Sequence, residues 1–194
     1  MIAVTTAGAA AETITSKTFT YFSIGGRTAA ELDAQLSSRG PLMRTTGARH
    51  PGATKIKFGG TVTYVERGGR CAVGAAKVTL SANIILPKWK NRKRATKDLA
   101  LIWDTLSGDI KRHEERHAEI ARLHARQMES MFLKLRPEAD CERMQATVGR
   151  KSLEAIKQHD KDQARFDRTE AKNFEKRMIR LMENRLQGRA KNKS

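Results

Sequence analysis

The feature that most constrains the fold is the break in the charged second half of the chain. Arg136 and Pro137 interrupt a helical pattern that otherwise runs from about residue 95 to about residue 187. Proline disfavours helix in the residue before it and fits the first turn of a new helix. The sequence therefore predicts a long helical hairpin, with one helix over residues 95–135 and a second over residues 138–187.

The first half of the chain has the pattern of a small sheet. Residues 17–24, 55–66 and 71–86 are β-branched and aromatic or alternate between apolar and polar positions, which predicts three strands. Gly59 and Gly60 suggest a bulge, and residues 67–70 are typical of a hairpin turn. Thr28 and Glu31 form a capping box for a short helix that ends near Ser37. We expect an α+β fold with a small, mostly antiparallel sheet and one short helix before the hairpin.

The first long helix carries the run His113-Glu114-Glu115-Arg116-His117, which fits the H-E-x-x-H zinc-binding pattern of metallopeptidases. Residues four apart lie one above the other, so the two imidazoles can bind one zinc ion beside the general base Glu114. Leu106, Ile110 and Ile120 share the histidines' face. The alternative is an exposed helix with solvated histidines. We favour zinc, because a buried imidazole needs a partner for its nitrogens.

The net charge of +17 indicates an anionic environment or partner, such as a polymer of the cell envelope. The densest basic run is residues 88–94, whereas acids and bases alternate along the predicted helices. The chain has no Cys-x-x-Cys pair, no Gly-rich phosphate loop and no aromatic-and-basic stacking motif. These absences argue against nucleic acid as the partner. No stretch has the length and apolarity of a transmembrane segment.

Two cysteines and the first residues bear on where the protein works. Cys71 and Cys141 could form a long-range disulfide in an exported protein or remain two buried thiols, and we favour the disulfide. Residues 1–12 are small and apolar, but they lack the basic start and the length of a full signal peptide. They are expected to be a signal-peptide remnant or a disordered tail. We expect one domain over residues 17–187 and a basic tail over residues 188–194.

A catalytic zinc ion usually has three protein ligands and one water. His124 lies on the histidine face but stands roughly 10 Å from His117 along a helix, so it cannot bind the same ion. An antiparallel return at Pro137 would instead bring residues 155–170 level with the histidines. The candidates in that window are His159, Asp160, Asp162, Asp167 and Glu170.

Several motifs resemble a bacterial family known as domain of unknown function 922, described as predicted secreted zinc-dependent proteases. The similarity covers most of residues 19–175. It rests on the opening at residues 21–26, the helix start at residues 28–32, the Arg-Gly-Pro at residues 39–41, Cys71, the corner at residues 86–89, Trp103 before the H-E-x-x-H run, Cys141, and Phe166 with Asp167.

The resemblance implies a small zincin-like α+β domain, export, and a disulfide between Cys71 and Cys141. The family's later motif is similar to Y-D-x-x-T-x-H-G. Phe166 and Asp167 match its first two positions, but Glu170 and Lys172 stand at its threonine and histidine. If that histidine is the family's third ligand, this chain lacks it. Asp167 is then the first choice as third ligand, because zinc accepts a carboxylate oxygen.

The sequence thus predicts a periplasmic or secreted zinc metallopeptidase that hydrolyses peptide bonds in a peptide or protein. His113, His117 and Asp167 would bind Zn²⁺, and Glu114 would activate the water. Glu170 or His159 could replace Asp167. The alternative is a non-catalytic basic binding protein of the cell envelope with a vestigial or structural metal site.

Overall fold

A computed structural model gives the structure of the chain and describes residues 14–43 and 47–191. The elements follow in the order β1 (Ile14–Ile24), α1 (Ala29–Arg39), β2 (Ala53–Arg67), β3 (Arg70–Trp89), α2 (Lys97–Leu133) and α3 (Cys141–Lys191). The fold is α+β, with the sheet in the first half of the chain and the long helices in the second. The segment expected as a signal-peptide remnant or tail, residues 1–12, lies outside the described residues.

The sheet has three strands in the order β1-β3-β2 and is mixed. β2 and β3 form the expected antiparallel hairpin, but β1 pairs parallel to β3, from Ile14 opposite Thr79 to Ile24 opposite Trp89. The expectation of a mostly antiparallel sheet is therefore wrong for β1. Alternation along a strand reveals which side chains share a face, but it does not reveal the partner strand or its direction.

Two irregularities in the sheet differ from the sequence expectation. The pairing of β2 and β3 continues through Gly59 and Gly60, and its register shifts at Thr63 and Tyr64 instead. Gly60 is needed for another reason: it has φ 150°, and a Cβ there would lie 2.1 Å from the carbonyl oxygen of Lys77. β3 also continues through Pro87, beyond its last residue paired with β2, where the ring breaks no bond to that strand.

The short helix α1 begins at the capping box that the sequence predicts, whereas α3 begins at Cys141, three residues after the predicted start. In the capping box of α1, the Glu31 backbone N–H donates to Thr28 Oγ1, and the Glu31 carboxylate accepts from the backbone N–H of Arg27. The turn at Arg136 and Pro137 lets α3 return antiparallel to α2. Backbone hydrogen bonds between Cys71 and Glu138, at 2.8 and 3.0 Å, fix this turn to the start of β3. The hairpin and the sheet are thus joined at one end.

The core lies mainly between one face of the sheet and α2, with Met144 and Val148 of α3 and Leu32 and Leu36 of α1 packed at its edges. The apolar positions that alternate along β3 are buried, with Val78, Leu80, Ala82 and Ile84 between 0 and 3% exposed. Alanines on α2 face these side chains and let the helix approach the sheet closely; they are Ala118, Ala121 and Ala125. This packing fixes α2, and with it the H-E-x-x-H run, against the sheet.

Candidate metal centre

The two histidines of the H-E-x-x-H run lie side by side on the face of α2 that meets α3. Their rings are 4.7 Å apart, and their Nε2 atoms are separated by 3.0 Å. The side chains of His113 and His117 are 25% and 13% exposed. The helical spacing therefore aims both Nε2 atoms at one point, as the sequence predicts.

A carboxylate from α3 completes this group. Asp167 Oδ1 lies 3.3 Å from His113 Nε2 and 2.9 Å from His117 Nε2. Within the described part of the chain, these three residues form the group of histidine and carboxylate side chains that could hold a metal ion. The Asp167 side chain is 53% exposed, so the group is buried on the histidine side and open to solvent on the carboxylate side.

The electrostatics of the group favour positive charge between its members. Burial raises the pKa of Asp167, but hydrogen bonds from His113 and His117 outweigh it and hold that pKa far below its usual value. Burial lowers the pKa of His117, but Asp167 and Gln163 raise it above its usual value. A proton or a metal cation can supply the positive charge that these side chains attract.

Glu114 occupies a different environment from the two histidines. It points toward β2 and is 6% exposed, and its Oε2 accepts a 2.8 Å hydrogen bond from Thr54 Oγ1. Burial raises the pKa of Glu114, and the bond from Thr54 and the nearby histidines only partly offset this rise. Gly52 leaves room for the side chain, since a Cβ at Gly52 would lie 2.9 Å from Glu114 Oε1. Glu114 is thus a confined carboxylate poised to hold a proton.

The other candidates for third ligand lie away from the two Nε2 atoms. The carboxylate of Glu170 is 3.7 Å from His113 Nδ1, on the opposite side of the ring. His159 hydrogen-bonds Asp160 and Gln163, and His124 is buried and bonded to Asp162 at 3.0 Å. Among the residues expected in the window 155–170, the structure brings Asp167 to the histidine pair.

Two contacts to the histidines were not predicted from the sequence. Phe166 stacks on His113 at 4.9 Å between ring centroids and meets His117 edge-on at 5.1 Å. The amide oxygen of Gln163 accepts a hydrogen bond from His117 Nδ1, and its amide nitrogen donates to the His117 carbonyl oxygen at 3.0 Å. Gln163 lies one helical turn before Asp167, and this i,i+4 spacing was the signal that could have found it.

A buried ion-pair network fixes α3 against α2 close to the centre. Arg177 forms two bonds to Asp109, with Nε 2.8 Å from Oδ1 and Nη2 3.0 Å from Oδ2. Arg112 bonds both Asp109 and Glu170, and Arg177 Nη2 lies 3.3 Å from Glu170 Oε2. The side chains of Asp109 and Arg177 are 4% and 12% exposed. This network fixes the position of α3 along α2 close to His113.

The centre opens into a cleft of about 630 Å³ between β2 and α3. Its walls include both histidines, Glu114 and Asp167, and on the β2 side Thr54, Ile56 and Phe58. Alternating residues of a strand share a face, which is why these three line one wall. A molecule bound in the cleft can therefore reach the side chains of the candidate centre and Glu114 at the same time.

The cysteines and the helices bear on the protein's surroundings. Cys71 and Cys141 form a disulfide that joins the start of β3 to the start of α3. In the part of the chain that the structure describes, no helix has the length and apolarity to cross a membrane.

Comparison with known proteins gives a family but no activity. A family model described as bacterial protein of unknown function (DUF922) matches residues 19–174, which is most of the chain. No curated protein matches the chain, and no solved structure matches it. The matching model carries no statement of activity, so the protease activity that the resemblance implies depends on the side chains of the centre.

Proposed function

Because the chain belongs to the DUF922 family of bacterial proteins of unknown function, its activity must be inferred from its own centre, and we propose that it is a zinc-dependent peptidase. The observation that carries the proposal is the convergence of His113 Nε2, His117 Nε2 and Asp167 Oδ1 at the mouth of a cleft that Glu114 also lines. Two imidazoles, one carboxylate and an open side match the ligand set of a catalytic zinc site.

The spacing of the three atoms fits zinc. They are 2.9 to 3.3 Å apart, and two ligands of a tetrahedral zinc ion with bonds of about 2.0–2.1 Å are separated by about 3.3 Å. Two histidines and a carboxylate also suit iron(II). The general base Glu114 beside them favours hydrolysis and therefore zinc.

Glu114 and Thr54 are the residues that would act beside the metal in hydrolysis. Zinc, when bound, polarises a carbonyl group and makes water more acidic. Glu114 is the group placed to take a proton from water and to return it to the leaving amine, and its raised pKa suits both steps. Thr54 holds the Glu114 carboxylate by its 2.8 Å hydrogen bond.

Substrate and location follow from the cleft, the charge and the disulfide. The cleft between β2 and α3 suits a peptide or a segment of a protein. The net charge of +17 favours an anionic environment, such as an envelope polymer. A disulfide persists in oxidising compartments, which supports a periplasmic or secreted protein.

The first test is the metal content of the purified protein, measured by elemental mass spectrometry for zinc, iron, manganese, cobalt and nickel. We expect about one zinc per chain, lost in His117→Ala. His124→Ala is the matched control, since it removes an imidazole from the same helix outside the centre, and it should keep the metal. Absence of zinc from the wild type after reconstitution would refute the proposal.

The second test separates a peptidase from a non-catalytic binding protein. Glu114→Gln preserves an acceptor for the Thr54 hydroxyl but removes the base. We expect this variant to keep its zinc and to lose hydrolysis in a screen of fluorogenic peptides and unfolded proteins. Wild-type protein that holds zinc but cleaves no more than Glu114→Gln would instead support the binding protein with a structural or vestigial site.

A further inference from the structure

Gln163 joins the candidate metal centre to a second pair of polar residues on α3. The Nδ1 of His117 lies within hydrogen-bond distance of Gln163 Oε1. The Gln163 Nε2 lies 3.0 Å from the carbonyl oxygen of His117 and 2.8 Å from Nε2 of His159. On the far side of the His159 ring, Nδ1 lies 3.0 Å from Asp160 Oδ1.

The contact between Asp160 and His159 determines where the protons lie in this series of hydrogen bonds. An ionised carboxylate accepts only, so His159 Nδ1 carries the proton that bonds Asp160. In the neutral ring, His159 Nε2 is then an acceptor, and it takes a proton from the amide nitrogen of Gln163. The second amide proton of Gln163 bonds the His117 carbonyl.

The amide oxygen of Gln163 must therefore face His117. An oxygen there accepts from His117 Nδ1–H, and the neutral ring keeps its lone pair on Nε2. The reverse orientation of the amide would place a donor against Nδ1, move the proton to Nε2, and point it at Asp167. It would also set the amide oxygen against the carbonyl of His117 and against the lone pair of His159.

We propose that Gln163, oriented by His159 and Asp160, is a positioning residue that selects the tautomer of His117 with its lone pair toward the metal site. The proposal rests on the proposed function in one respect, namely that the lone pair serves a metal ion. Gln163, His159 and Asp160 do not supply the converging ligand atoms themselves. They act through His117.

The packing around His159 supports a fixed relay. His159 is 5% exposed, and its ring meets Phe58 edge-on at 5.0 Å. His159 and Gln163 are four residues apart on α3, so the helix itself sets their separation. Among the described residues, Glu170 places a carboxylate oxygen 3.7 Å from His113 Nδ1, which is too far for a comparable hydrogen bond. His117 is therefore the ligand whose tautomer the fold controls.

The test measures the tautomer in metal-free protein that carries Asp167→Ala, because Asp167 Oδ1 lies 2.9 Å from His117 Nε2 and would otherwise compete for the ring proton. Long-range ¹H–¹⁵N spectra distinguish a ring protonated at Nδ1 from one protonated at Nε2, at a pH where the rings are neutral. Zinc affinity is measured in protein that keeps Asp167, by competition with a chelating indicator. Gln163→Met removes the acceptor, Gln163→Glu keeps an acceptor of the same reach, and Gln158→Met is the control for the same change at an exposed position of α3.

In the Asp167→Ala background, we expect the Nδ1–H form at His117 when Gln163 is unchanged, in Gln163→Glu and in Gln158→Met. Gln163→Met should lose this preference and bind zinc about 10- to 100-fold more weakly. His159→Phe, which frees the amide to turn, should show the same change to a smaller degree.

Two results would overturn the inference: an Nε2–H form at His117 in the Asp167→Ala background with Gln163 unchanged, or a Gln163→Met variant whose tautomer and zinc affinity do not change. A different result bears on the proposed function instead. If the tautomers follow the expected pattern but the wild type binds no zinc, the relay stands and the peptidase proposal fails.

Discussion

Removing Arg177 should destabilise the protein strongly, although this residue lies outside the core between sheet and α2. Its guanidinium bonds both oxygens of Asp109, and the two side chains are 12% and 4% exposed. Arg177→Met keeps much of the side chain's bulk and removes its charge. A buried carboxylate that loses its main partner keeps its desolvation cost without the compensating attraction.

The size of the effect follows from what remains around Asp109. Removing one partner of a buried pair typically costs about 3–5 kcal/mol. Arg112 Nε still lies 3.0 Å from Asp109 Oδ1, so the lower end applies. We expect a loss of about 3 kcal/mol in the free energy of unfolding. For a domain of this size, that corresponds to a fall in Tm of about 6–12 °C.

Urea unfolding followed by circular dichroism at neutral pH measures this loss. Arg180→Met is the matched control, because Arg180 is an exposed arginine on the same helix. The control should change the free energy of unfolding by no more than about 0.5 kcal/mol. Equal unfolding midpoints for the two variants would refute the reasoning, since the buried ion pair would then contribute nothing beyond a surface charge.

Acid should weaken the same network. Burial raises the pKa of Asp109, but the bonds from Arg177 and Arg112 lower it below its usual value. The unfolded chain then binds this proton at higher pH than the folded chain, so the stabilisation is complete above about pH 4 and is lost as the pH falls through the folded pKa. The stability difference between wild type and Asp109→Asn should therefore shrink on acidification, and a difference independent of pH would contradict this.

Two further changes test the proposed role of Glu114 as general base and the contribution of the disulfide. Gly52→Ala would place a Cβ 2.8 Å from Ile110 Cγ2 and 2.9 Å from Glu114 Oε1, so we expect peptide hydrolysis to fall about 100-fold with unchanged zinc content. Undiminished hydrolysis would show that Glu114 need not hold its position. Replacing Cys71 and Cys141 together by alanine opens a loop with a sequence separation of 70 and should cost about 4 kcal/mol in urea unfolding. An unchanged midpoint would mean that the bridge adds no stability.

Local signals predicted most elements of the fold. The capping box at Thr28, the turn at Pro137 and the alternation along β3 each depend on residues close together in sequence, and each appears in the structure. The parallel pairing of β1 with β3 could not be predicted in this way. It joins residues that are 65 positions apart in sequence, from Ile14 with Thr79 to Ile24 with Trp89, and no short pattern in β1 indicates its partner strand.

The candidate centre was predictable in part for the same reason. The alignment of His113 with His117 is a property of one helix. The placement of Asp167 depends on the length of the turn before α3, and the sequence predicts only a range for that length. Glu114 was expected beside the metal, but its burial against Thr54 depends on the distance between α2 and β2, which is a tertiary quantity.

The three atoms that could hold a metal ion come from two helices, and this division would link metal binding to folding. His113 and His117 are neighbours on α2 alone, whereas Asp167 reaches them only after α3 has docked. A cation held by all three would cross-link the hairpin, and its binding free energy would add to the stability of the fold by mass action. A chelator would then act on this protein as a denaturant does.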